Sequence, residues 1–155
     1  MNPKQRALAG AIGGAAGTLV LSGLREAWSR IGVVFDTAPI QVVDRVEELA
    51  SAEGFSPGAH RVLSVAAHCA YGVGAGAVLG LLRRETGEPA EEAAVGSALG
   101  VLVWGAGWAS WLPLTGVHSP PWRQWTPKVL LPVLDHVVFG ATWGLAYWVL
   151  TRKQS

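Results

Sequence analysis

Charge is the first thing this sequence lacks. Asp, Glu, Lys and Arg make up 15% of its 155 residues, where a soluble domain carries about a quarter. Half of the residues are apolar, so the shortfall excludes an ordinary aqueous surface and points to a bilayer. The formal net charge is +1, and the basic residues are scattered, which excludes the electrostatic footprint of a nucleic-acid binder. Cys69 is the one cysteine. A disulfide framework or a cysteine-based zinc site within one chain is therefore excluded, and cysteine usage leaves the redox compartment open. No Ser, Cys or Lys stands in a nucleophile motif and no glycine-rich phosphate loop follows a strand, so no catalytic residue is assigned. No cofactor is implied either. A metal needs three or four converging ligands, and His68, His136, Asp135 and Cys69 have no recognised ligand spacing; no metal site is assigned.

What the sequence has in abundance is long apolar stretches. Four approach the roughly 20 residues needed to cross a hydrocarbon core: 7–24, 62–82, 93–113 and 129–150. Arg61 and Arg83-Arg84 bracket the second, and Lys128 and Arg152-Lys153 the fourth. The first has the basic start of a signal peptide, but no small-x-small cleavage site follows it, so it reads as a retained helix. The fold expected is a single transmembrane domain over 1–155, an all-α bundle of four membrane-spanning helices.

Short flanks carrying Lys4, Arg6, Arg83, Arg84, Arg152 and Lys153 place both termini on the cytoplasmic side by the positive-inside rule. Trp28, Trp111, Trp122 and Trp125 then fall at the outer interface, and Tyr147 and Trp148 near the inner one, where amphipathic rings settle. The first outer loop contains an amphipathic helix from Pro39 to about Glu53. Thr37 is its cap, and Ile40, Val43, Val46 and Ala50 recur opposite Asp44, Glu47 and Glu48.

An internal repeat organises the spans. The second reads His68-Cys69-Ala70-Tyr71-Gly72 and then Gly76, and the fourth His136-Val137-Val138-Phe139-Gly140 and then Gly144. The common pattern is His-x-x-aromatic-Gly-x-x-x-Gly. The first and third spans match through Gly13-x-x-x-Gly17 and Gly96-x-x-x-Gly100. Two units, about 7–82 and 93–150, then form two helical hairpins that cross in the same sense, related by an axis along the membrane normal. On each His-bearing helix the histidine shares a stripe with its glycines, Gly72 and Gly76 or Gly140 and Gly144, and glycine stripes are where helices approach closely.

Asp135 stands beside His136, about 100° around the helix. An ionisable residue inside a bilayer raises a functional hypothesis by default, so His68, His136 and Asp135 are the candidate binding or proton-relay cluster. Against it stands a plainer reading, in which both histidines are interhelical hydrogen-bond partners and Asp135 is hydrated. Trp104, Trp108 and Trp111 recur at i, i+4 and i+7, either as a groove for a lipophilic molecule or as packing and lipid contact.

The glycine-rich first span, Ala38-Pro39 in the first loop, His68 with Tyr71, and the run from Gly96 through Pro113-Leu114-Thr115-Gly116 to His136 and Gly140 together resemble the small bacterial inner-membrane proteins typified by YagU. The resemblance covers most of the chain and implies a multi-pass inner-membrane protein; it transfers no catalytic residue. Three function classes stay open: a transporter-like, channel-like or proton-responsive element around the His/Asp cluster, a structural or accessory subunit of a larger membrane complex, and a binder of a lipophilic cofactor. Partners are the lipid bilayer and a second copy or another membrane protein; nucleic acid is excluded.

Overall fold

The structure, a computed structural model, describes residues 1–32, 37–50, 54–84, 87–124 and 126–152, and the side chains of all these except 126–128. Among these described residues six α-helices follow one another: α1 (Pro3–Arg30), α2 (Ala38–Ala50), α3 (Pro57–Leu82), α4 (Pro89–Ala106), α5 (Leu112–Leu114) and α6 (Thr126–Thr151). A π-helical turn, Gly107–Trp111, fuses α4 to α5, and a 3₁₀ turn spans Pro121–Arg123. No strand occurs among the described residues. Among the described residues, four segments are long and apolar enough to cross a membrane: Pro3–Arg30, Pro57–Leu82, Pro89–Leu114 and Val129–Thr151. The chain is built as a multi-pass helical membrane protein.

Local chemistry sets the helix starts. Asn2 and Gln5 form a reciprocal capping box ahead of α1, with Pro3 at its first turn, which satisfies two otherwise orphaned amides. Ser56 caps α3 by accepting from the Ala59 amide at 3.3 Å, again with a proline next in line. At α4, Pro89 opens the helix and Glu91 and Glu92 occupy the first turn, where acidic groups suit the helix dipole. The loop helix runs from Ala38 to Ala50; the remainder of the expected 39–53 segment lies outside the described residues, as do Trp125 and Lys153. Thr37 supports its first turn through its carbonyl, which accepts from Ile40 and Gln41.

Glycine dictates how the long helices meet. α1 packs antiparallel on α3, α4 antiparallel on α6, and α1 joins the two pairs by packing on α6. A methyl group on Gly76 would stand 2.7 Å from the Gly14 Cα, and one on Gly80 2.9 Å from the Gly10 Cα. On the other pair, a methyl on Gly140 would meet the Gly96 carbonyl carbon at 2.6 Å, and one on Gly144 the Glu92 carbonyl carbon at 2.8 Å. Backbone therefore touches backbone along both pairs, the arrangement that drives helix association where lipid is as apolar as leucine.

The glycines of α1 divide between two partners. Gly10 and Gly14 face α3, whereas Gly13 and Gly17, the pair matched to Gly96 and Gly100 from sequence, face α6. There they leave room for rings: added methyls would come within 3.0 Å of the Trp143 ring and 2.7 Å of the Phe139 ring. Trp143 is fully buried, donates its indole N–H to the Gly10 carbonyl at 3.2 Å, and stacks on Tyr147 with centroids 5.2 Å apart. Leu79 and Ala9 complete this core, with Leu99 and Val103 against it.

Candidate functional site

The ends of the bundle differ. At the end holding both termini, Glu92 is fully buried and is gripped by Arg83, which also reaches Glu91 at 3.3 Å, while the Gly87 amide donates to Glu92 at 2.8 Å. The hydrogen bond to Glu92, opposed by some desolvation, holds the Arg83 guanidinium above its ordinary range. Tyr147 of α6 donates its hydroxyl toward the Arg83 and Gly80 carbonyls of α3, at 2.9 and 3.3 Å. This end is closed, and its buried carboxylate is matched.

At the end carrying α2 the helices part. A cavity of about 320 Å³ lies between α3 and α4, with Ala38, Pro39 and Val42 of α2 over it. His68 and His136 both line it, together with Arg25 and the rings of Trp104, Trp108 and Trp111. The structure thus brings the two sequence-predicted histidines to one chamber and adds the tryptophan face of the third span. The π-turn is part of the wall: Gly107, Trp108 and Trp111 all belong to it, and π-turns inside α-helices are frequent at functional sites. Gly107 is where Tyr71 comes close; an added methyl there would lie 3.1 Å from the Tyr71 hydroxyl. Tyr71 donates that hydroxyl to the Val103 carbonyl at 2.9 Å, bridging α3 to α4 across an otherwise thin contact.

The third predicted residue behaves differently. Asp135 is almost completely buried but is absent from the cavity wall; its carboxylate faces α1, where Arg25 Nε donates at 3.2 Å and Trp28 Nε1 at 3.1 Å. The 100° between Asp135 and His136 sends one toward α1 and the other toward the chamber. Arg25 ties them together, because it pairs with Asp135 and lines the same cavity as both histidines. His136 donates from Nδ1 to the Pro132 carbonyl at 2.7 Å; a carbonyl can only accept, so in the neutral ring Nε2 is left as an acceptor.

Two further residues escaped sequence reasoning, Arg25 and His60. Arg25 reads as a flank charge because the apolar run stops at Leu24, yet α1 continues to Arg30 and leaves the Arg25 side chain 12% exposed. The available signal was the spacing of Arg25 and Trp28, three apart on one helix face, opposite an intramembrane acid in need of a partner. His60 of α3 meets Asp44 of α2 at 2.8 Å, and Glu47 accepts the Phe55 amide at 2.6 Å. The ligand atoms of Asp44, Glu47 and His60 lie within 4.8 Å of one another, but each is already engaged, and the group works as a clasp that holds α2 on α3. It borders a second, more polar cavity of about 1,070 Å³ between α1 and α3, which shares Arg25, His68 and Pro39 with the first.

The glycines of the predicted stripes have a separate task. Gly72, Gly76, Gly140 and Gly144 form the helix contacts described above, and Gly72 accommodates the Thr18 side chain. No family model, no curated protein and no solved structure matches the chain.

Proposed function

We propose that this chain is a small, transporter-like membrane protein that takes a compact, largely apolar molecule into the chamber at its α2 end. The observation that carries the reading is one cavity that gathers His68, His136, Arg25 and the Trp104–Trp108–Trp111 face beside a π-turn. Pockets that bind small molecules are mostly apolar and aromatic, with a few placed polar groups. Asp135 anchors Arg25 at the wall, so the cluster acts as a binding site with a fixed cation rather than as a chain of three proton carriers.

Finer points belong to the same proposal. Antiparallel glycine pairing of α1 with α3 and of α4 with α6 supports two hairpins derived from an internal repeat, with Gly14 in the place of Gly96. Charge in the short flanks supports both termini on the cytoplasmic side, and the motifs shared by the glycine- and histidine-bearing spans support a YagU-like kinship and with it a bacterial inner membrane. A homo-oligomer is the expected state if a pathway is to form, since 155 residues enclose little on their own. Filling the chamber tests the reading. Native mass spectrometry of protein released from membranes should find a small lipophilic adduct on the wild type and little on Ala67→Trp; equal occupancy in both, or none in either, contradicts it. Replacing His68 and His136 by Gln should also suppress flux of that molecule in proteoliposomes.

A specific feature favours a second reading, an accessory subunit. Trp122 is 74% exposed on the Pro121–Arg123 turn, and Leu114 85% exposed nearby, which gives a partner an aromatic and apolar handle. Co-purification in mild detergent decides it: a stoichiometric partner lost on Trp122→Ala supports the subunit, and a lone chain counts against it.

A further inference from the structure

We infer that Asp44, Glu47 and His60 form a site for one divalent metal ion of the zinc class, and that the ion staples the loop helix α2 to α3. The site is separate from the chamber and owes nothing to what the chamber holds.

The two carboxylates are brought together by α2 alone, and the fold adds the third group. Asp44 and Glu47 are three apart on α2, a spacing that makes side chains neighbours on one helix face. His60 comes from the start of α3, and its Nε2 lies 2.8 Å from Asp44 Oδ1, so the ring is aimed at the acids. One ligand atom from each of the three residues lies within 4.8 Å of the others. Zinc holds such atoms at about 2.0 to 2.2 Å, which sets them roughly 3.3 Å apart in a tetrahedral site. Small side-chain rotations close that difference.

Charge then favours a cation. With His60 neutral the group carries two negative charges, and like charges three apart on a helix repel. Among the described residues His60 is the one basic group paired with either acid; Arg45, between them in sequence, is committed to Glu48 at 2.8 Å and to the Thr115 carbonyl at 3.1 Å. The clasp also leaves donors over. Asp44 meets His60 through Oδ1 and Glu47 accepts the Phe55 amide through Oε1, and the second oxygen of each has no partner among the described residues. An ion on His60 Nε2 takes the place of the proton between His60 and Asp44, so the clasp stays closed while its charge is matched.

The donor set selects the metal. An imidazole nitrogen suits zinc and its neighbours, whereas magnesium and calcium take oxygen ligands. Three protein ligands leave a fourth position for water. Water has access, because Glu47 and His60 line the larger cavity and the Asp44 and His60 side chains are 54% and 23% exposed. The consequence reaches both cavities: α2 lays Ala38, Pro39 and Val42 over the first and Pro39 and Ile40 beside the second, so an ion bridging α2 to α3 fixes the cover of each.

The test uses the full chain without an affinity tag, stripped by a chelator, in mild detergent. Zn²⁺, Mg²⁺ and Ca²⁺ are titrated separately, with the unfolding midpoint and hydrogen exchange in α2 as readouts, because a ligand that binds the folded state stabilises it according to its occupancy. Zn²⁺ should raise the midpoint saturably and slow exchange in α2, and Mg²⁺ and Ca²⁺ at the same concentrations should do neither. His60→Gln, Asp44→Asn and Glu47→Gln should each raise the Zn²⁺ concentration required by at least about tenfold, a loss that even outer-shell changes produce, with metal-free midpoints near wild type. Glu48→Gln, whose carboxylate faces Arg45, should titrate as wild type. No saturable effect of Zn²⁺ overturns the site, as does an equal response in all three ligand variants, which would mean an adventitious ion only. Mg²⁺ or Ca²⁺ acting as well as Zn²⁺ overturns the part given to His60. A raised midpoint with unchanged exchange in α2 overturns the staple.

Discussion

One set of helices produces two very different ends. Toward the termini, α1, α3, α4 and α6 are drawn together by glycine, the remaining space is filled by Trp143 and Tyr147, and Arg83 closes over a fully buried Glu92. Toward α2 the close contacts of α1 stop at Thr18 and Gly17, and beyond them lie both cavities. Small residues let backbones touch, while tryptophans beyond the stripe are too bulky to fill the gap evenly. Stability is concentrated at one end and room for chemistry at the other.

The largest blow to that contrast falls on the glycine contacts. Gly76→Leu or Gly140→Leu places a side chain against backbone on the facing helix, which cannot move aside as a flexible side chain would, and the variants should fail to yield a monodisperse folded species by size-exclusion chromatography. Gly74→Ala and Gly105→Ala, with nothing within 4 Å of the added methyl, should behave as wild type. If all four behave alike, the glycine stripes are not what holds the pairs together.

Trp143→Ala comes next. It empties the best-packed part of the closed end and removes the hydrogen bond to Gly10, and should cost about 3 to 5 kcal/mol in reversible unfolding, the range for large aromatic-to-alanine changes. Trp111→Ala, at a half-exposed ring on the cavity wall, should cost clearly less. Comparable losses would mean that the α2 end is packed as tightly as the other.

The smallest expected effect is at the surface clasp. Asp44→Asn should shift stability by no more than about 1 kcal/mol, because Asp44 is half exposed and exposed ion pairs contribute little. The change should nonetheless raise hydrogen exchange in α2 selectively; unaltered exchange there would remove the clasp from the account.

The membrane spans were legible in the sequence because hydropathy and flanking charge act locally. The positions of Gly72, Gly76, Gly140 and Gly144 were also legible, since a four-residue spacing fixes a helix face without knowledge of the neighbour. Which neighbour a face meets is a tertiary fact. Spacing alone therefore pairs Gly13 and Gly17 with Gly96 and Gly100, whereas it is Gly10 and Gly14 that meet α3. Arg25 was hidden for a related reason: hydropathy ends a span at the first charge, but an arginine with a buried aspartate opposite it continues the helix inward. The histidines stand out through the sequence pattern they share, and the cavity they line together is beyond reach, because a cavity is defined by what several helices fail to fill.

The Arg25–Asp135 pair is the joint on which the open end depends, since it fixes α1 to α6 and sets the charge of the chamber. A double-mutant cycle of Arg25→Leu and Asp135→Leu, followed by reversible unfolding in detergent, tests it most directly. Each single change should be strongly destabilising, about 3 to 5 kcal/mol by leaving a buried charge unpaired, and the double variant should recover much of that loss. Additive losses in the double variant would contradict the account, because they would show that Arg25 and Asp135 do not answer one another.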